Sequence, residues 1–114
     1  MNATVKVYLN RGEDLFRKFN PDTAQLRLAV SFDFPLPDCE QAVPALLHMV
    51  WEQLNVGGDL IEATEWCDEY RANGNRSLST GDVVVIGETA FSCDPFGWSI
   101  VPTGDLVTAI NRAG

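Results

Sequence analysis

The chain has one histidine, three cysteines with no CxxC pair among them, and no lysine or arginine anywhere from Leu28 through Tyr70. His48 alone cannot complete a zinc-ligand pattern. The wide spacing of Cys39, Cys67 and Cys93 suits reduced thiols in a cytosol better than a disulfide framework. No apolar run approaches the roughly 18 to 20 residues that cross a bilayer, and MNATVKVYLN lacks the charged-then-apolar plan of a signal peptide. These absences predict a cytoplasmic protein with no membrane segment, no metal and no cofactor. G-x-S-x-G, Walker and dinucleotide fingerprints are missing too, as are internal repeats and low-complexity tracts.

What is present is an ordinary globular composition: 114 residues, 46% hydrophobic and 21% charged, which predicts one domain over residues 1–114. Sixteen acidic against eight basic side chains give a net charge of -8, which repels a nucleic-acid backbone at long range. The charge is segregated. Asp33, Asp38, Glu40, Glu52, Asp59, Glu62, Glu65, Asp68 and Glu69 all lie in the span without lysine or arginine, and would form an acidic face if the helices there share one side.

Thr4 to Leu9 alternates apolar and polar residues, as a half-buried strand does. Gly12 to Phe19 places Leu15, Phe16 and Phe19 at helical spacing, for one or two turns ended by Asn20-Pro21. Gln25 to Phe34 keeps period two over ten residues, which predicts a strand with Leu26, Leu28, Val30, Phe32 and Phe34 on one face. Pro35 and Pro37 end it. Val43, Leu46, Leu47, Val50, Trp51 and Leu54 then make a helical stripe ending near Asn55, with Pro44 in its first turns and Gly57 as its cap. A second helix is predicted from Asp59, with Glu62 closing a capping box and Leu60, Ala63, Cys67 and Tyr70 inward. Ser79-Thr80-Gly81-Asp82 turns into Val83 to Ile86, an apolar run that reads as a strand buried on both faces. Thr89 to Cys93 and Trp98 to Val101 flank Asp94-Pro95-Phe96-Gly97 and complete a meander of three strands. Thr103 is placed to cap a last helix carrying Leu106, Val107 and Ile110.

Few residues suggest chemistry. His48 reads as a boundary residue paired with Glu52 one helical turn on, not as a catalytic base. A small enzyme using Cys93 or an acid from the sheet is the weakest of the functional readings, because only His48 is available as a base for a nucleophile and no pair of acids has a spacing that singles it out. Residues 72–77, ANGNRS, offer glycine, asparagine and an arginine to an anion, but the same residues serve a helix C-cap and turn. Phe91, Phe96 and Trp98 read first as core and turn packing, with Phe96 at the turn tip the one most exposed to a partner.

Arg76-Ser77-Leu78-Ser79-Thr80-Gly81-Asp82-Val83, followed by a hairpin ending Phe96-Gly97-Trp98, resembles the SLS-x-[SG]-D-V segment of YodL-like proteins, small proteins of phages, prophages and conjugative elements. Leu54 to Gly58 and Tyr70-Arg71 with Gly74-Asn75 look like the actinobacterial version. The resemblance covers the C-terminal half of the chain and implies a mobile-element setting and a cytoplasmic home. It implies no catalytic residue.

Together these readings predict an α+β fold: a small, mostly antiparallel sheet of about five strands with two main helices on one face. The expected function is that of a non-enzymatic phage or mobile-element accessory protein. It would bind a basic host or element protein, such as a nucleic-acid enzyme, through an acidic helical face. Glu62, Glu65, Glu69, Arg76 and Phe96 are the expected contacts. The alternative is a single-strand or RNA-binding module using Arg71, Arg76 and the hairpin aromatics.

Overall fold

The β-branched and alternating segments form five strands in a computed structural model that describes residues 2–11, 17–55 and 65–114. They are β1 (Asn2–Asn10), β2 (Leu26–Pro35), β3 (Val83–Ile86), β4 (Thr89–Asp94) and β5 (Gly97–Val101), with helices α1 (Ala42–Asn55), α2 (Glu65–Ala72) and α3 (Thr103–Ala113). The sheet order is β2-β1-β3-β4-β5 and every pairing is antiparallel. This is the small α+β architecture that the sequence predicts. Gly87-Glu88 and Pro95-Phe96 supply two tight turns of the β3-β4-β5 meander, with Asp94 and Gly97 paired across the second.

Both faces of the sheet are covered. Val5, Val7, Leu9, Val30, Val84 and Ile86 pack on one face against Leu46, Leu47, Val50 and Leu54 of α1 and Cys67 and Tyr70 of α2. Each fully buried aliphatic side chain there contributes about 2 kcal/mol by leaving water. On the opposite face Tyr8, Leu26, Val83, Val85, Ala90 and Val101 pack against Ala109 of α3, with Leu106 and Ile110 at the margin. That second layer explains the unbroken Val83 to Ile86 run, since β3 has no solvent face for a polar residue to occupy.

α1 begins two residues before Pro44, so the missing proline N–H falls among the first four donors, which have no intrahelical acceptor anyway. Phe32 and Trp66 stack with ring centroids 4.2 Å apart and planes 6° off parallel, which fastens α2 over β2. Trp66 was absent from the expected apolar face of this helix. The expected capping box at Asp59 and Glu62, the Gly57 cap, and Leu60 and Ala63 lie outside the described residues.

Three expectations change. The alternation from Leu26 to Phe34 does not lie on one face, because a bulge interrupts the β1–β2 ladder: Val7 pairs with Val30, but Tyr8 pairs with Leu28. The extra residue, Ala29, reverses the side on which everything before it projects. Leu26 joins the α3 layer while Val30 joins the α1–α2 layer. Of the helix expected over 12–19, residues 12–16 lie outside the described residues and 17–19 are irregular, followed by a turn in which Asn20 accepts the N–H groups of Asp22 and Ala24. Thr103 is the first helical residue of α3 and not its cap. Pro102 occupies the N-cap position and its carbonyl accepts the Leu106 N–H at 3.0 Å.

Candidate functional site at one rim of the sheet

The antiparallel registers bring the end of β1, the start of β2, the start of β3, the end of β4 and the start of β5 to one rim. Asp82 lies at its centre, fully buried. Arg76 donates to its two oxygens through Nη1 and Nη2, both at 2.7 Å, a two-pronged guanidinium–carboxylate pair. The Asn10 N–H donates to Oδ1 at 2.8 Å and the Ser79 N–H to Oδ2 at 2.7 Å. One carboxylate thus takes four donors from three residues, one at the end of β1 and two on the loop that leads into β3.

Around it the backbone closes the same knot. Arg76 Nη2 also donates to the Asn10 carbonyl at 2.9 Å, and the Tyr70 hydroxyl donates to the Arg76 carbonyl. Cys93 donates its N–H to the Asp82 carbonyl and accepts the Gly81 N–H, which extends the β3–β4 pairing past Val83. Gly81 has φ +92°, and a Cβ there would sit 2.3 Å from the Arg17 carbonyl oxygen. Only glycine fits. The hydrogen bonds to Asp82 hold the Arg76 guanidinium above its ordinary pKa. Burial, with the Asp82 charge adding to it, pushes the Tyr70 phenol up to about 12, and burial pushes the Cys93 thiol up to about 11. A thiol so placed is almost wholly protonated at neutral pH, which leaves it a poor nucleophile.

Two grooves open on either side of this knot. One, of about 670 Å³, runs between the β1–β2 end and the Asn73-Gly74-Asn75 turn after α2, and Arg11, Arg27 and Arg76 line it. The other, of about 470 Å³, lies between α1 and the β4–β5 turn, lined by Pro44, His48, Trp51, Asp94, Phe96 and Trp98 among others. Phe96 stands fully exposed at its mouth, and Ile100, 70% exposed, lies on the edge strand β5 that follows it. Asp94 accepts the Ser99 hydroxyl on Oδ2, whereas its buried Oδ1 has no donor among the described residues. No spacing in the sequence marks that oxygen.

The expected contacts are distributed and not clustered. Glu65 and Glu69 are exposed on α2 with Asp68, and none of the three has an ion pair among the described residues. Glu62 lies outside the described residues. α2 covers β2, the edge strand farthest from β5, so four strand spacings, roughly 19 Å, separate that row of acids from the Phe96 strand. Arg76 is held inside the rim by Asp82. Arg71 donates to the Gln53 carbonyl at 3.1 Å. His48 and Glu52 pair at 2.5 Å, one helical turn apart as expected.

Among the described residues no helix is long and apolar enough to cross a membrane, and no group of three or more histidine, cysteine or acidic side chains could hold a metal ion. Comparison of the chain with protein-family models, curated proteins and solved structures gave no match.

Proposed function

We propose that this protein is a non-enzymatic accessory protein of a phage or mobile element that acts by binding a basic protein. The observation that carries this reading is the groove beside Phe96. A fully exposed phenylalanine at the mouth of a cleft walled by Trp51 and Trp98 is the kind of aromatic anchor that dominates protein interfaces. Asp94 lines the same cleft with one buried oxygen lacking a donor, an acceptor suited to a lysine or arginine from the partner. A cation there would also lie against indole rings, which favour it electrostatically. The unpaired acids of α2, Glu65, Asp68 and Glu69, together with Glu62, would raise the encounter rate with a basic surface. The likeness of the 76–83 segment to YodL-like proteins supplies the mobile-element setting and the cytoplasmic location.

The test is affinity capture from bacterial lysate with the wild-type protein, Phe96→Ala, and Glu65→Lys with Glu69→Lys, run side by side. The reading requires a protein that the wild type retains, that moderate salt elutes, and that both variants lose. Equal recovery on all three would overturn it.

A second reading, binding of single-stranded nucleic acid, draws on the presence of Arg11, Arg27, Arg76 and Phe96 along one rim. Against it, Arg71 and Arg76 are engaged within the fold and the hairpin aromatics lie beyond the Asp82 knot from the arginine groove. Absence of binding to labelled oligonucleotides at 50 mM salt, where phosphate contacts are strong, eliminates it.

A further inference from the structure

The groove at the β1–β2 end is chemically unlike the rest of the molecule. In a chain with twice as many acidic as basic side chains, its lining holds Arg11, Arg27 and Arg76 and, among the described residues, no aspartate or glutamate. The bulge at Ala29 creates this arrangement. Unbroken alternation would put Arg27 on the side opposite Val30, whereas the observed register sets Arg27 across from Leu9, on the face that α1 and α2 cover. Bulges recur where a strand must re-aim a side chain.

Arg11 extends the ladder by donating its N–H to the Gln25 carbonyl at 2.7 Å, so Arg11 and Arg27 occupy diagonal positions on adjacent strands. Diagonal positions lie roughly 7–8 Å apart, close enough for two long cations to repel and for one anion to be held by both. Both side chains are exposed, and neither has a hydrogen bond or ion pair among the described residues. Arg76 plays another part. Its charge is balanced by Asp82, and it forms a fixed wall.

We propose that this groove binds a small phosphorylated ligand, with the phosphate held between the Arg11 and Arg27 guanidinium groups. Guanidinium forks match phosphate geometry, and the volume of about 670 Å³ exceeds what a bare phosphate fills, which calls for an ester with a body attached. Among the described residues no aromatic ring lines the groove, so these offer no stacking surface for a base. Asparagine side chains and the Gly74 turn line it instead, which suits a hydroxyl-bearing body such as a sugar or polyol phosphate. This site is independent of the Phe96 cleft, and either can fail without the other.

Amide NMR titration of the whole chain tests it, with inorganic phosphate, glucose 6-phosphate and unphosphorylated glucose as probes. The expected result is saturable movement of the Arg11, Arg27 and Gly74 resonances with both phosphates and none with glucose, and binding of the ester at least as tight as that of phosphate. Arg27→Ala and Arg11→Ala should each weaken binding roughly tenfold with an unchanged thermal midpoint, because both side chains are exposed. Arg27→Lys should recover only part, since an ammonium lacks the planar fork. Unmoved resonances at millimolar phosphate, or equal affinity in the alanine variants, would overturn the site. Displacement of phosphate from these residues by a single-stranded oligonucleotide at lower concentration would overturn the small-ligand assignment in favour of nucleic acid.

Discussion

Asp82→Asn is the most informative single change in this chain, because it alters one atom of a fully buried side chain and leaves its volume intact. The carboxylate accepts from Arg76 Nη1 and Nη2, the Asn10 N–H and the Ser79 N–H. An asparagine keeps one acceptor oxygen and replaces the other with an NH₂ group. Whichever way the amide is turned, that group faces two donors. If it faces the Ser79 side, Ser79 N–H and Arg76 Nη1 lose their acceptor; if turned, Asn10 N–H and Arg76 Nη2 lose theirs. In both cases the Arg76 charge is left at the rim without its counter-ion. Breaking a buried pair from one side costs about 3–5 kcal/mol, set against a total stability of order 5–15 kcal/mol for a domain of this size. At roughly 4–8 °C per kcal/mol, the thermal midpoint should fall by about 12–40 °C. Urea unfolding followed by tryptophan fluorescence measures the loss directly, and Arg76→Met completes a double-mutant cycle. Coupling between the two positions should exceed about 2 kcal/mol, and the double variant should be more stable than Asp82→Asn alone. A loss under 1 kcal/mol, or strictly additive effects, would refute the view that this ion pair holds the rim together.

Gly81→Ala should cost roughly 2–4 kcal/mol in the same assay, since the new methyl meets the Arg17 carbonyl at a positive φ, whereas Gly74→Ala, at φ +76° with open space around it, should cost only about 1 kcal/mol. Similar losses at both sites would mean that steric contact at Gly81 is unimportant. Alkaline titration should unfold the protein early. The folded-state values for Cys93, about 11, and Tyr70, about 12, lie above their ordinary 9.0 and 10.0. The stability these groups contribute is therefore complete below pH 9 and is lost as pH rises through 11 and 12. Tyr70 alone accounts for about 2–3 kcal/mol of that loss, and Tyr70→Phe should flatten the alkaline limb of a stability-versus-pH curve.

The elements that could be read from sequence are those whose burial is decided by local pattern. β1, the two-sided run of β3, the α1 stripe and the meander turns fall in this group, because period and punctuation there admit one reading. The Ala29 bulge was invisible for a physical reason. With a covered layer on each side of the sheet, Leu26 is equally satisfied on either face, so a perfect alternation across the bulge carries no warning of it. Trp66 borders the stripe of Cys67 and Tyr70, and its partner Phe32 is distant in the chain, so no local pattern marks the stack. The turn role expected of Asp82 is present in its bond from the Ser79 N–H. Its pairing with Arg76 was not legible, since six residues of irregular backbone impose no spacing rule. For the candidate sites, Phe96 was found by its place at a turn tip. The arginine groove and the orphan oxygen of Asp94 depend on register and tertiary packing, which no local pattern encodes.

The charge segregation along the sequence acquires a different meaning once the strands are paired. A run without lysine or arginine from Leu28 to Tyr70 suggests one acidic face, yet its described acidic members are spread over β2, α1, α2 and their flanks. What the fold concentrates is the opposite sign. Arg11 and Arg27, sixteen positions apart in the chain, are brought to adjacent strands by the antiparallel register, and the bulge sets Arg27 into the groove that Arg11 also lines. The neutral Arg76–Asp82 pair then stands between that groove and the cleft that holds Asp94. The anion proposed for one end of the rim and the partner's cation proposed for the other would thereby be kept apart by a buried pair that neither has to displace. This separation would let the two proposed sites of opposite preference share the rim of one small sheet, and charge changes at Arg27 and at Asp94 should then act on binding independently of each other.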